Sequence, residues 1–245
     1  MKNPYLEEIA VKNPAFSALI EKTKDEKNHV APKSTLFVCA MEEELAGFSA
    51  CLSHLDIPHE YMSYDGHPYL SFEYHGRKCM AMYTGLSFFH APVLCRMLEV
   101  FHPDQIINFG TCAGIRGQKT GSIIKTNQAY CNDLDARMFG FQLGTIDKDP
   151  MDLSKDALVS GSTFLSSSEE IAKVLEKFPN AVGFDMESFM FACVCKFYHI
   201  PFMVIRAVTD GGDEESKNDF FSYVTKCASF AAYYAILDVL VSEYK

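Results

Sequence analysis

The chain has 245 residues, 48% of them hydrophobic and 22% charged, which supplies enough apolar side chain for one large α/β core. Its formal net charge of −10 argues against a nucleic-acid surface, which needs clustered Lys and Arg to displace counterions. No run of about eighteen uncharged apolar residues is present, so no membrane span is expected, and the opening MKNPYLEEIAVKNP has no apolar signal core, which argues against secretion.

Residues 1–33 are polar and interrupted by Pro4, Pro14 and Pro32, and read as an N-terminal extension in which AFSALIEKTKDEK (15–27) forms a short amphipathic helix. The domain proper is expected over 34–245. It opens with TLFVCAM (35–41), a short apolar run of the kind buried strands show. EEELAGFSACLSHL (42–55) follows as a helix with acids in its first turn, where the macrodipole favours them. YLSFEYH and KCMAMYT, alternating runs on either side of Gly76, predict a hairpin. The apolar spacing in 87–101 predicts a helix, DQIINFGTCAG (104–114) a strand running into a turn of small residues, and SIIKTNQAYC (122–131) another strand.

Residues 132–152 read as a long loop rich in aromatic and charged side chains, and long ordered loops in compact domains are usually functional. DALVSGSTF (156–164) predicts a strand and SSEEIAKVLEKF (167–178) a helix opened by Ser. From Phe189 to Phe197 the chain is apolar nearly all round, so the helix there should be buried. PFMVIRAVTD (201–210) is a strand, and 218–244 a long terminal helix. Strands and helices largely alternate. The predicted fold class is therefore α/β, a three-layer α/β/α sandwich around a central mixed, mostly parallel sheet. The nine cysteines form no CxxC pair and mostly sit in apolar runs, as in VCAM and FACVCKF. They read as reduced core residues of a cytoplasmic protein, and their spacing gives no metal-binding set.

Three carboxylates stand out. Glu44 follows a buried strand, Glu187 opens the apolar helix and Asp210 ends a strong strand. Ligands of open α/β sheets bind beyond the carboxyl ends of strands, so acids at several such ends point to one shared site. The plainer reading of each is a solvated helix acid, a paired core acid and a turn cap. GTCAG (110–114) could bring backbone N–H groups close to a ligand, but it matches neither a dinucleotide fingerprint nor a P-loop.

With these blocks in view, the chain resembles the nucleoside phosphorylase and nucleosidase superfamily, and within it the methylthioadenosine/S-adenosylhomocysteine nucleosidases. AMEEEL (40–45), INFGTCAGI (107–115), DLDARMFGF (133–141), VSGSTF (159–164), FDMES (184–188) and RAVTD (206–210) match that family's motifs in order. The resemblance implies hydrolysis of the N-glycosidic bond of 5′-methylthioadenosine, with S-adenosylhomocysteine as a second candidate. Asp210 would be the general acid toward adenine N7, Glu44 the base that activates water, and Arg206 a group that places the water or orients a carboxylate. Glu187 and Met186 would hold the ribose, with Thr111, Cys112 and Asp185 in the same substrate-contacting set. Phe164 would stack on adenine and the Leu165 backbone would bond its edge. Met41, Leu86, Phe139 and Phe220 would form an apolar pocket around the 5′ substituent, and Phe139 lies in a loop that a neighbouring subunit lends. That implies a homodimer acting on a small-molecule adenine nucleoside, with no metal and no organic cofactor. Core packing is the plainer reading of Met186, Phe164, Leu165 and the four apolar pocket residues, and a surface ion pair that of Arg206.

An unperturbed Asp titrates at about 3.9, which leaves about one in a thousand protonated at neutral pH, so the proton-donor role requires a site that raises it. Superfamily phosphorylases hold phosphate with arginines, whose planar guanidinium suits its oxygens. The opening motif here carries Glu44 and no arginine, which favours water over phosphate as the nucleophile. Departures from the family pattern cluster at Phe88, where lysine is usual, at Asn132 for histidine, at Phe141 for tyrosine and at Ser162 for an acid. A phosphate-dependent nucleoside phosphorylase and a non-catalytic nucleoside-binding protein on the same scaffold remain as alternatives.

Overall fold

The computed structural model describes residues 33–149 and 152–242. The expected N-terminal extension and its helix lie outside these residues, apart from Lys33. β1 (Ser34–Cys39) leads into α1 (Glu42–His54), followed by β2 (His59–Tyr64), β3 (His67–Tyr74), β4 (Arg77–Tyr83), α2 (His90–Phe101) and β5 (Gln105–Gly114). β6 (Ile123–Thr126), β7 (Ala129–Cys131), β8 (Ala157–Ser160), α3 (Ser168–Lys177), β9 (Ala181–Asp185), α4 (Ser188–Phe197), β10 (Phe202–Asp210) and α5 (Ser216–Ser242) complete the order.

The strands make one sheet in the order β2-β3-β4-β1-β5-β9-β8-β7, with β10 set between β5 and β6. Pairing is parallel for β1 with β4 and β5, for β5 with β10, and for β8 with β7 and β9. It is antiparallel in the β2-β3-β4 hairpins, between β10 and β6, and where β5 meets β9. The inner strands are apolar on both sides because both faces are covered. Phe37, Phe109 and Ile205 face α1 and α5, meeting Phe48, Leu52, Ala232 and Ile236. Leu36, Val38, Ile106 and Val204 face the opposite way onto Leu94 and Met97 of α2 and Phe191 and Val194 of α4. This strict alternation produces the three-layer α/β/α sandwich.

Several boundaries differ from the sequence reading. β2 was not anticipated: its residues are half-buried or exposed, as on a sheet edge, and carry no apolar signature. Asp65 and Gly66, both at positive φ, turn it into β3, and Asp-Gly is the local signal that could have revealed it. The turn predicted within GTCAG is strand, since β5 runs through Gly114. The strand predicted over 122–131 is two strands, broken where the Thr126 hydroxyl accepts the Gln128 N–H at 3.0 Å and donates to the Asp156 carbonyl at 2.7 Å. The strand predicted over 156–164 ends at Ser160, and β9 is an additional strand ahead of α4.

Phe48 is fully buried and meets Phe37, Phe72 and Phe109 at ring-centroid distances of 4.9, 5.9 and 5.0 Å. Phe48→Ala should lower the unfolding free energy by about 3–5 kcal/mol, the usual cost of an aromatic core truncation. Denaturant unfolding with an unchanged m-value checks it.

Candidate active site

The carboxyl ends of β1, β5, β9 and β10 converge on one cleft. β1 leads into Met41 and Glu44, β5 supplies Thr111 and Cys112, β9 leads through Asp185 to Met186 and Glu187, and β10 carries Arg206 and Asp210. Leu86 and the pair Phe164–Leu165 come from connecting loops, and Phe220 from the first turns of α5. The three acids picked from the sequence therefore share a single cleft.

Glu44 is only 2% exposed. One carboxylate oxygen accepts the Ala40 and Met41 N–H groups at 2.9 and 3.1 Å, capping its own helix, and the other accepts the Thr111 N–H at 3.2 Å. Gly110 makes this approach possible, since a Cβ there would stand 2.6 Å from the carboxylate. Burial pushes the Glu44 carboxyl above its ordinary range against the pull of Arg206 and the three N–H donors. Glu44 is thus both a helix-capping acid and a cleft-lining one.

Asp210 is reached through a register shift between Val208 and Asp210 in the pairing of β10 with β5, a bulge that re-aims the strand end. Its carboxylate accepts the Thr209 hydroxyl at 2.7 Å and the Gly212 N–H at 3.0 Å. Burial raises its affinity for a proton in spite of these donors. Thr209, whose hydroxyl also stands 3.1 Å from the Cys112 carbonyl, lines the cleft and was missed by sequence reasoning; a Thr ahead of a strand-end Asp is too common to signal it.

Arg206 and Asp185 form a buried ion pair at 2.9 Å. Asp185 also accepts the Ser160 hydroxyl at 2.5 Å and both the N–H and hydroxyl of Ser188. The Arg206 guanidinium donates further to the Asn108 side chain and to the Ser188 hydroxyl. Burial works against its charge, but Asp185, Glu187 and Glu44 outweigh that and hold Arg206 above its ordinary value. Arg206 is therefore no surface ion pair, and its donors are engaged with protein groups. Asn108, its amide partner, was not singled out in the sequence.

Glu187 accepts the Ser87 backbone N–H at 2.9 Å. Burial first, and the neighbouring Asp185 second, push its carboxyl up to about 7. Cys112 is buried, and desolvation raises its thiol well above the usual value, so it lines the cleft as a small neutral group. At the mouth Phe164 meets Phe220 edge to face at 5.6 Å, and Phe164 and Leu86 stay 40% and 51% exposed.

Phe139 is the exception among the predicted contacts. It lies in a 3-10 turn, Arg137–Phe139, is 67% exposed and does not line this chain's own cleft. Its segment, 132–149, is tied to the end of β8 by the Asn132 N–H on the Ser160 carbonyl and by the Ser162 N–H on Asp133, and contributes no described residue to the cleft lining.

Strand-end acids gathered around one buried cation, with an apolar mouth above them, define an α/β protein with a small-molecule cleft suited to acid–base chemistry. Residues 34–158 and 157–240 match the family model of the phosphorylase superfamily, and the chain belongs to that family. A 5′-methylthioadenosine/S-adenosylhomocysteine nucleosidase from Haemophilus influenzae is 30% identical over 154 residues, covering 54% of this chain and 67% of the relative. One from Staphylococcus saprophyticus is 28% identical over 214 residues, covering 77% and 91%. The crystal structure of the Neisseria meningitidis 5′-methylthioadenosine/S-adenosylhomocysteine nucleosidase in complex with methylthio-immucillin-A superposes with a TM-score of 0.73 at 22% identity, covering 86% of this chain and 99% of that one.

The Glu187 environment gives a prediction about stability. The folded chain holds this proton up to about 7 and the unfolded chain only to its ordinary 4.5, so wild-type stability falls as pH rises between them. Glu187→Gln should therefore melt higher than wild type above neutral pH and lose that advantage as the pH drops toward 4.5. Thermal unfolding of both proteins across this range is the measurement.

Proposed function

We propose that this chain hydrolyses the N-glycosidic bond of an adenine nucleoside carrying a 5′-thioether, releasing adenine and the free thioribose. 5′-Methylthioadenosine is the preferred candidate and S-adenosylhomocysteine the second, the substrates in the names of its relatives. The observation that carries this reading is the meeting of Glu44, Glu187 and Asp210 in one cleft.

As the C1′–N9 bond breaks, positive charge grows on the ribose and negative charge on the purine. Asp210, its proton affinity raised by burial, donates to N7 and becomes a carboxylate. Glu44 takes a proton from the water that attacks C1′, and exchange with solvent restores both acids. A raised pKa strengthens Glu44 as a base. Glu187 and Met186 hold the ribose, and the Glu187 charge favours the cationic sugar. Phe164 stacks on the base and Leu165 bonds its edge. Met41, Leu86 and Phe220 surround the 5′ group. Arg206 serves as a positioning residue through Asp185 and supplies no phosphate site, because Asp185, Asn108 and Ser188 occupy its donors. No metal or organic cofactor takes part.

We further propose a homodimer in which Phe139 closes the partner's cleft; its exposure here, beside Met138 at 83%, supports that role. The catalytic domain is assigned to 34–245. A cytoplasmic location is favoured by nine free thiols.

Adenine release from 5′-methylthioadenosine should proceed equally with and without phosphate, and Asp210→Asn should lower kcat by about 10²–10⁴. Full turnover in Asp210→Asn removes the proton-donor assignment. Strict phosphate dependence makes the chain a phosphorylase, and binding without turnover in wild type makes it a nucleoside-binding protein.

A further inference from the structure

His90 is a fully buried titratable group that the proposed chemistry does not use. It opens α2, at the end of the segment that crosses from β4 over the cleft. That segment is tied to the β1 end by the Thr84 N–H and hydroxyl on the Cys39 carbonyl, at 2.9 and 3.1 Å, and by the Gly85 N–H on the Ala40 carbonyl at 3.1 Å. Its two ends are joined side chain to side chain, Thr84 Oγ1 to His90 Nδ1, at 2.5 Å. With the Thr84 proton on the Cys39 carbonyl, His90 Nδ1–H donates to Thr84 Oγ1, and His90 Nε2 has no hydrogen-bond partner among the described residues. Buried polar atoms are rarely left so.

Between these tied ends stands Ser87, a non-glycine residue at φ +53. Such backbone is costly and persists where the surroundings enforce it. In this conformation the Ser87 N–H points at Glu187.

We infer that Thr84 and His90 act as a brace, a pair of positioning residues that hold the Ser87 N–H on the Glu187 carboxylate and so orient the ribose-gripping acid. The groups facing Glu187 are Asp185 from β9, Arg206 from β10 and Glu44 from α1, together with the Ser87 N–H. Arg206 and Asp185 also face His90, and burial together with the Arg206 charge holds its imidazole down at about 3. The brace is therefore neutral throughout the working range and does not itself titrate there. Without it the Ser87 donor drifts and Glu187 loses a partner that favours its charged form.

The kinetic consequence rests on the nucleosidase reading above; the titration consequence does not. The variants are Thr84→Val, which keeps shape and removes the hydroxyl, His90→Phe, and Thr84→Ser, which keeps the hydroxyl. In Thr84→Val and His90→Phe, KM for 5′-methylthioadenosine should rise about tenfold with kcat changed less than about threefold, and Thr84→Ser should match wild type. Carboxyl carbon NMR of glutamate-labelled protein, assigned with Glu187→Gln, should place the Glu187 midpoint about half a pH unit or more higher in the first two variants than in wild type. An unchanged Glu187 midpoint in folded Thr84→Val or His90→Phe overturns the brace. So does a fall in kcat at constant KM, the signature of a smaller folded fraction. Wild type without turnover, but with the midpoint still moving in the variants, would sink the nucleosidase reading and leave the brace standing.

Discussion

The buried ion pair of Arg206 and Asp185 is the constraint on which the site depends. Among the described residues, four acids line the cleft, Glu44, Asp185, Glu187 and Asp210, and Arg206 is the only basic side chain that lines it with them. An isolated charge in such a place would neutralise itself or unfold the region. Asp185 offsets the desolvation of the guanidinium, Ser160 and Ser188 satisfy Asp185, and Asn108 takes a further guanidinium donor. The field of Arg206 then lowers the proton affinity of both Glu44 and Glu187. One cation thus lets several carboxylates share a space that desolvation alone would empty of charge.

The sheet explains why these groups meet. β5 lies between β1 and β10 in parallel register, with Arg206 opposite Gly110 and Ala207 opposite Thr111. Glu44 reaches across from the β1 end to the Thr111 N–H over a glycine that leaves it room. The β10 bulge turns Asp210, and β9 meets β5 antiparallel only at its last residues, delivering Asp185 and Glu187 to the same edge. A single topological feature, several strand ends opening on one side, gathers residues that lie far apart in the chain.

The parts of this arrangement legible in the sequence were those whose physics is local. Buried strands announced themselves as apolar runs in 35–39 and 202–210, and the acids following such strands were visible as charges placed where the chain is otherwise apolar. The resemblance to a known family added roles that spacing could not supply. What escaped detection depends on nonlocal partners. β2 is an edge strand with little to bury, and β9 is short and merges in composition with the helix after it. GTCAG reads as a turn by its small residues, yet they extend a strand because Glu44 and β10 need close approach there. Ser87 contributes a backbone N–H, which no side-chain pattern reveals, and the partnership of Asn108 with Arg206 spans two strands. Phe139 was placed by resemblance in a lent loop, and within one chain it stands clear of the cleft.

A double-mutant cycle on Arg206 and Asp185, read by both unfolding free energy and nucleoside affinity, tests the central role of the ion pair. Arg206→Met and Asp185→Leu singly should each cost about 3–5 kcal/mol, because each strands a buried charge, and the double variant should regain most of that stability. Nucleoside affinity should stay lost in Arg206→Met and in the double variant, since Glu44 and Glu187 there no longer have their cation. A double variant that binds nucleoside as wild type does, or an Arg206→Met that keeps both stability and affinity, would contradict the account.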